Sequence, residues 1–270
     1  MNTDEKRIAL HLLPAPIGNR RAGKSRMGAA TGICIGLLAV AGIAVQQLAR
    51  ADDTRQVSTP TRLAGAVQSL PTEPSAVLGD TRKRADFQHE YASWAARHTA
   101  NWVVDSGDNL GMPFMIVDKS QGRVLLFDAS GKLSAAASAL LGLAVGDDSV
   151  PGIGNRKLSS IRPEERTTPA GRFVVSLGRN LRGKEILWVD YKNAISLHRV
   201  VTSNAKERRA ERLASPNTDD KRISYGCINV PVDFFDRHVG PTFSGTNGIV
   251  YVLPETRANQ TAFASYYSVE

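Results

Sequence analysis

The sequence predicts a mainly β fold, a sandwich or barrel with short helices, and three observations carry that expectation. From residue 114 onward, short apolar runs recur with gaps of hairpin length. They do not alternate with helical patterns of ten to fifteen residues, as a doubly wound parallel sheet requires. The chain has 270 residues, 42% of them apolar and 6% aromatic, which is enough to bury a core and too apolar for a disordered polymer. No internal repeat of solenoid length is present.

The front of the chain reads differently. Residues 1–26 form a basic n-region, and residues 27–51 read as a signal peptide or transmembrane anchor. The cluster Arg20, Arg21, Lys24 and Arg26 runs straight into the apolar stretch from Met27 to Val45. Basic residues stay in the cytoplasm while the apolar stretch enters the bilayer. About eighteen apolar residues exceed a usual signal core and just suffice to span as a helix. Ala49-Arg50-Ala51 has the small-x-small form of a cleavage site, so cleaved signal and retained anchor both stay open. Either one exports the remainder of the chain, to the periplasm or cell envelope. Cys34 lies inside the apolar stretch and reads as a small apolar residue.

Charge excludes one class of partner. Residues 1–51 hold seven Lys or Arg against Asp4 and Glu5, which accounts for +5 of the net +8 and leaves +3 for the rest. That surplus is no electrostatic footprint for nucleic acid.

Residues 52–80, rich in Thr, Ser, Pro and Ala, read as a flexible linker. Residues 81–111 are expected to form an amphipathic helix packing on the next domain. Phe87, Tyr91, Trp94, His98 and Trp102 recur at helical steps as its packing stripe, and Ser106-Gly107-Asp108-Asn109 marks its end. On that helix His89 and His98 would face opposite sides, so they do not clamp one metal.

Residues 112–255 are the expected catalytic domain and 256–270 a C-terminal tail. Runs at 114–118 and 123–127 flank Ser120-Gln121-Gly122, and another begins at Lys132. Later runs cover 171–177, 185–191, 194–200 and 248–253. The charged stretch Lys206 to Arg212 is expected to be a solvated helical excursion between strands. Asp147-Asp148 and Asp219-Asp220 read as solvated corners, and neither a metal nor a cofactor is implied.

Cys227 is then the lone cysteine of the exported portion, where an unpaired thiol suggests an intermolecular bridge or a reactive group. A buried inert thiol is the bland alternative. Gly226 keeps bulk away from it. Asn229 to Phe235, with Pro231 in the first turn, reads as a helix start whose dipole would favour thiolate and whose N–H groups could hold an oxyanion. In Ala194-Ile195-Ser196-Leu197-His198, strand alternation sends Ile195 and Leu197 to one face and Ser196 and His198 to the other. His198 thereby looks into a surface or cleft and becomes the candidate base for Cys227.

The order His198, then Ser224-Tyr225-Gly226-Cys227-Ile228-Asn229, after Thr168-Pro169-Ala170-Gly171-Arg172-Phe173, resembles the YkuD-type L,D-transpeptidases of bacterial cell walls. The likeness covers roughly residues 113–254. It implies a YkuD-like catalytic domain in which Cys227 attacks a peptidoglycan stem peptide after its third residue and displaces the terminal D-alanine. His198 would take the thiol proton and later protonate the leaving amine. The backbone around Gly226 and Cys227 would stabilise the oxyanion, with Ser224 and Asn229 shaping the loop. An amine acceptor would resolve the thioester into a cross-link, and carbapenem-type inhibitors would acylate Cys227.

Two features depart from the family pattern. Tyr225 stands where histidine is usual, so it and Ser196 are assigned as pocket or orienting residues. The gap from His198 to Ser224 is also long, by the excursion containing Lys206 to Arg212, which could lid the cleft. Two other readings stay open: hydrolytic use of the same acyl-enzyme, as a carboxypeptidase or wall-linkage hydrolase, and a non-catalytic wall-binding scaffold.

Overall fold

The computed structural model describes residues 82–269. The expected leader, apolar stretch and linker lie outside the described residues. Among the described residues no helix is long and apolar enough to cross a membrane.

The chain opens with helix α1 (Trp94–Ser106), followed by strands β1 (Phe114–Asp118), β2 (Arg123–Phe127), β3 (Leu133–Ser138) and the short β4 (Leu141–Gly142). After a stretch of 3-10 turns come β5 (Gly171–Arg179), β6 (Glu185–Asp190) and β7 (Ile195–Arg199). Helix α2 (Arg209–Ala214) precedes β8 (Arg222–Ser224) and β9 (Ile228–Val230). Then α3 (Val232–Phe234), a π turn over Phe235–Val239, α4 (Gly240–Phe243), β10 (Gly248–Val252) and α5 (Asn259–Ala262) complete the order.

Eight strands form one sheet in the order β3-β2-β1-β10-β5-β6-β7-β9. Just past the end of β3, Leu140 and Asn229 of β9 exchange both backbone hydrogen bonds, each 2.8 Å. That bridge brings the two edges together and nearly closes the sheet into a barrel. A closed sheet has no edge to protect. Interior positions from β1, β2, β6, β7, β9 and β10 share one core with Phe234, Phe235 and Phe243 of the helical turns.

The outer face of β1, β2 and β10 is also buried, which explains why β1 and β10 are buried at every position. Ala96, Ala100, Trp102 and Val103 of α1 cover Phe114, Ile116, Leu125 and Tyr251. The C-terminal segment adds Phe263 and Val269 to this cluster, and Trp102 donates its indole N–H to the Ser265 carbonyl at 3.1 Å.

Helix α1 begins at Trp94 rather than near residue 81. The Asp86 backbone pairs with Gly131 and Leu133 at the head of β3, and Gln88 and His89 take left-handed conformations that no helix accepts. His89 therefore lies off the helix altogether. Ser93 starts the helix by accepting the Ala96 N–H at 3.1 Å, and Gly107 ends it at φ +69°. The expected aromatic stripe is not its packing face either. Tyr91 and Trp94 are 62% and 66% exposed, and α1 instead buries mostly small residues plus Trp102. Small side chains let the helix approach the sheet closely.

Asp147 is not a solvated corner. It is buried against Lys119, whose ammonium lies 2.8 Å from Oδ1 and also donates to the carbonyls of Gly146 and Thr168. Burial alone would raise the Asp147 carboxyl. Hydrogen bonds from Lys119, Thr256 and the backbone of Glu255 and Thr256 outweigh it and hold the group well below the carboxylate range.

Candidate active site

The site is built on the β7·β9 ladder. These strands run parallel with Leu197 opposite Ile228 and His198 opposite Asn229. Leu197 and Ile228 point into the core, so Ser196, His198, Cys227 and Asn229 share the outer face. Ser196 stands across from Cys227, its hydroxyl 3.7 Å from Sγ. His198 is one step further along β7, a diagonal neighbour of Cys227. In a sheet such diagonal positions lie about 7–8 Å apart at the backbone and are within reach of a long side chain.

His198 Nδ1 lies 2.7 Å from the carbonyl oxygen of Arg199. A carbonyl only accepts, so neutral His198 carries its hydrogen on Nδ1 and its lone pair on Nε2. That is the tautomer of a base. Arg199 is held in turn by Asp236, whose Oδ1 lies 2.6 Å from Nε, and by the Glu185 carbonyl, while its guanidinium covers the Phe235 ring. Arg199 is thus held by its own partners, and it too lines the cavity beside His198.

Ser196 and His198 line a cavity of about 540 Å³ with Ile186, Val200, Thr202 and Val232. Cys227 is 1% exposed and stands behind the Ser196 side of this wall. Its surroundings are not hydrocarbon alone. Sγ has the Ser196 hydroxyl and the Ala194 carbonyl each at 3.7 Å.

The Ser224–Cys227 turn is fixed by short-range hydrogen bonds. Ser224 Oγ donates to the Cys227 carbonyl at 2.6 Å and accepts the Gly226 N–H at 3.0 Å. Gly226 has φ +123°, and a Cβ there would stand 2.6 Å from the Thr167 carbonyl oxygen. Only glycine allows both. Thr168 ties the turn to β4, donating its hydroxyl to the Gly226 carbonyl and accepting the Gly142 N–H, both at 2.9 Å.

Four expectations change here. The Gly226 N–H is engaged by Ser224, so it is no oxyanion donor in this geometry. Cys227 does not precede a helix, because Ile228–Val230 extends into β9 and α3 begins only at Val232. The dipole argument therefore falls. Tyr225 is buried with Ile153, Leu158 and Ile161 under the Arg166 guanidinium, 4.0 Å above its ring, and does not line the His198 cavity. The excursion is not wholly solvated, because Arg209 is 5% exposed and reaches Asn229. A charge run does not disclose which of its members has a distant buried partner, and Thr168 was legible only as part of a motif.

No family model and no curated protein matches the sequence. Among solved structures, likenesses occur at low identity. An L,D-transpeptidase from Xylanimonas cellulosilytica is 16% identical over 53% of this chain and 60% of that one, with a TM-score of 0.31. A mutant L,D-transpeptidase from Enterococcus faecium is 17% identical over 53% and 50%, with a TM-score of 0.30. The helical cell shape determining protein Pgp2 from Campylobacter jejuni is 13% identical over 54% and 49%, with a TM-score of 0.35. The chain spans between about half and three fifths of the length of these three structures.

Proposed function

We propose that the protein is a cysteine acyltransferase of YkuD type that remodels peptidoglycan by L,D-transpeptidation. One observation carries the reading: Cys227 and a histidine whose lone pair sits on Nε2 share one face of adjacent strands beside a cavity. The motif order from Thr168 to Asn229 supplies the substrate class. In the reaction, His198 Nε2 takes the Cys227 proton as Sγ bonds to the carbonyl carbon after the third stem residue. The tetrahedral adduct collapses, the C–N bond breaks, and the imidazolium protonates the departing D-alanine. An acceptor amine then attacks the thioester, gives up its proton to His198, and releases the thiol. Cys227 is 1% exposed behind Ser196, so the reaction requires Ser196 to give way before a substrate carbonyl meets Sγ. Ser224 and Asn229 hold the nucleophile turn in register. The basic cluster ahead of Met27–Val45 supports an exported protein facing the cell envelope, with any membrane contact made through that segment.

Incubating the full chain with purified tetrapeptide-bearing wall fragments and weighing the products tests the reading. Cross-linked dimers are expected, and shortened monomers alone would assign the acyl-enzyme to water. A Cys227→Ala chain giving the same products as the unsubstituted one would overturn it. Intact mass after exposure to a carbapenem should show one adduct, on Cys227.

A further inference from the structure

The excursion between β7 and β8 is held as a unit. Lys221 is buried and donates to the carbonyls of Arg212, Leu213 and Ser215 at 2.7–2.8 Å, closing the C-terminus of α2. From this unit Arg209 projects inward. Its Nε meets Glu207 Oε2 at 2.5 Å, which offsets the burial of its charge, and Nη1 donates to Asn229 Oδ1 at 2.7 Å. Asn229 is wholly buried. Because its Oδ1 accepts from a guanidinium, its amide orientation is fixed, and Nδ2 is turned to the Cys227 carbonyl at 3.4 Å. That carbonyl also receives the Ser224 hydroxyl. Asn229 is in addition the ladder partner of His198.

We infer that Arg209 is a positioning residue that acts through Asn229 on the Cys227 turn, so that the excursion is a working part of the reaction centre and not an insertion beside it. This rests on the reading of Cys227 as nucleophile. A guanidinium anchored there, its own charge already paired with Glu207, fixes the turn and so holds Sγ against the Ser196 hydroxyl, whose hydrogen bond favours thiolate. A lid would act differently, by changing access alone.

The test uses the full chain and follows iodoacetamide alkylation of the Cys227 peptide against pH by mass spectrometry, so that Cys34 does not contribute. Arg209→Met is expected to move the midpoint upward and slow alkylation at pH 7 by threefold or more. Asn229→Ala should do the same, and the double variant should show no more than either single one. A profile for Arg209→Met that overlays the unsubstituted chain, or single effects that multiply in the double variant, would overturn the inference. Arg209→Gln decides the matter where Arg209→Met does not fold. It keeps a polar side chain but is too short to reach Asn229, so its profile should shift, and an unmoved profile overturns the inference. Substrate turnover is read separately. Its absence in the unsubstituted chain would defeat the acyltransferase reading while leaving the alkylation result to judge Arg209.

Discussion

His198 and Arg199 are neighbours in sequence, yet the contact that matters runs from the imidazole of one to the carbonyl of the other, 2.7 Å from Nδ1 to oxygen. The strand's own backbone thus sets which nitrogen holds the proton. General-base assistance by a positioned histidine is worth about 10²–10⁴ in rate. His198→Gln should lower turnover of wall fragments by that order while leaving the melting temperature within a few degrees. Turnover within about threefold of the unsubstituted protein would remove His198 from the reaction.

Ser196 gives a smaller, separable effect. Its hydroxyl is directed at Sγ at 3.7 Å, where sulfur is a weak acceptor, so the bond stabilises thiolate by about 1 kcal/mol. Ser196→Ala should slow Cys227 alkylation at pH 7 by about fivefold. At high pH, where the thiol is fully ionised, the two chains should react alike or the variant faster, since the hydroxyl also guards the way in. A uniform slowing at every pH would mean that Ser196 acts through the fold instead.

Gly226→Ala tests the turn itself. The added methyl meets the Thr167 carbonyl at 2.6 Å and Ile195 Cδ1 at 2.8 Å, at a backbone φ of +123° that side chains avoid. Overpacking and a disfavoured conformation each cost about 1–3 kcal/mol. Urea unfolding should therefore show a loss of about 2–6 kcal/mol, and a midpoint unchanged from the parent would contradict the turn geometry.

Much of the fold was legible because its information is local. Runs at 114–118 and 123–127 coincide with β1 and β2, and a three-residue turn signal between them suffices to read a hairpin. The alternation of Ile195, Ser196, Leu197 and His198 correctly put the histidine at a cleft. What escaped depends on pairing across the chain. Phe87 and Tyr91 keep helical spacing, but Asp86 is claimed by Gly131 and Leu133, which lie beyond two strands in the sequence. Asn229-Val230-Pro231 has the look of a helix start, yet Ile228–Val230 is drawn into the sheet by β7 and Leu140. Arg209 is one of many charges in its stretch, and only the approach of Asn229 distinguishes it.

Acid should loosen the Tyr225 side of the site through Glu165. The Arg156 guanidinium, 2.8 Å from Oε1, and the Arg162 N–H, 2.8 Å from Oε2, lower this carboxyl to about 2 from an ordinary 4.5. A carboxyl depressed in the folded state binds its proton more readily when unfolded. Its stabilisation is therefore complete above pH 4.5 and drains away as pH falls toward 2. Glu165→Gln has no such proton to lose. Unfolding free energies of the two chains should differ at pH 7 and approach each other as pH falls from 4.5 to about 2, while Asp147, present in both, cancels from the comparison. A gap that stays constant over this range would mean that the Arg156 pairing contributes nothing through ionisation. The same titration can be followed at Tyr225 itself. Its ring packs with Ile153, Leu158 and Ile161, and Glu165 holds Arg156 of that same segment, so the assigned NMR signals of the Tyr225 ring should shift over the acid range in the parent and less in Glu165→Gln.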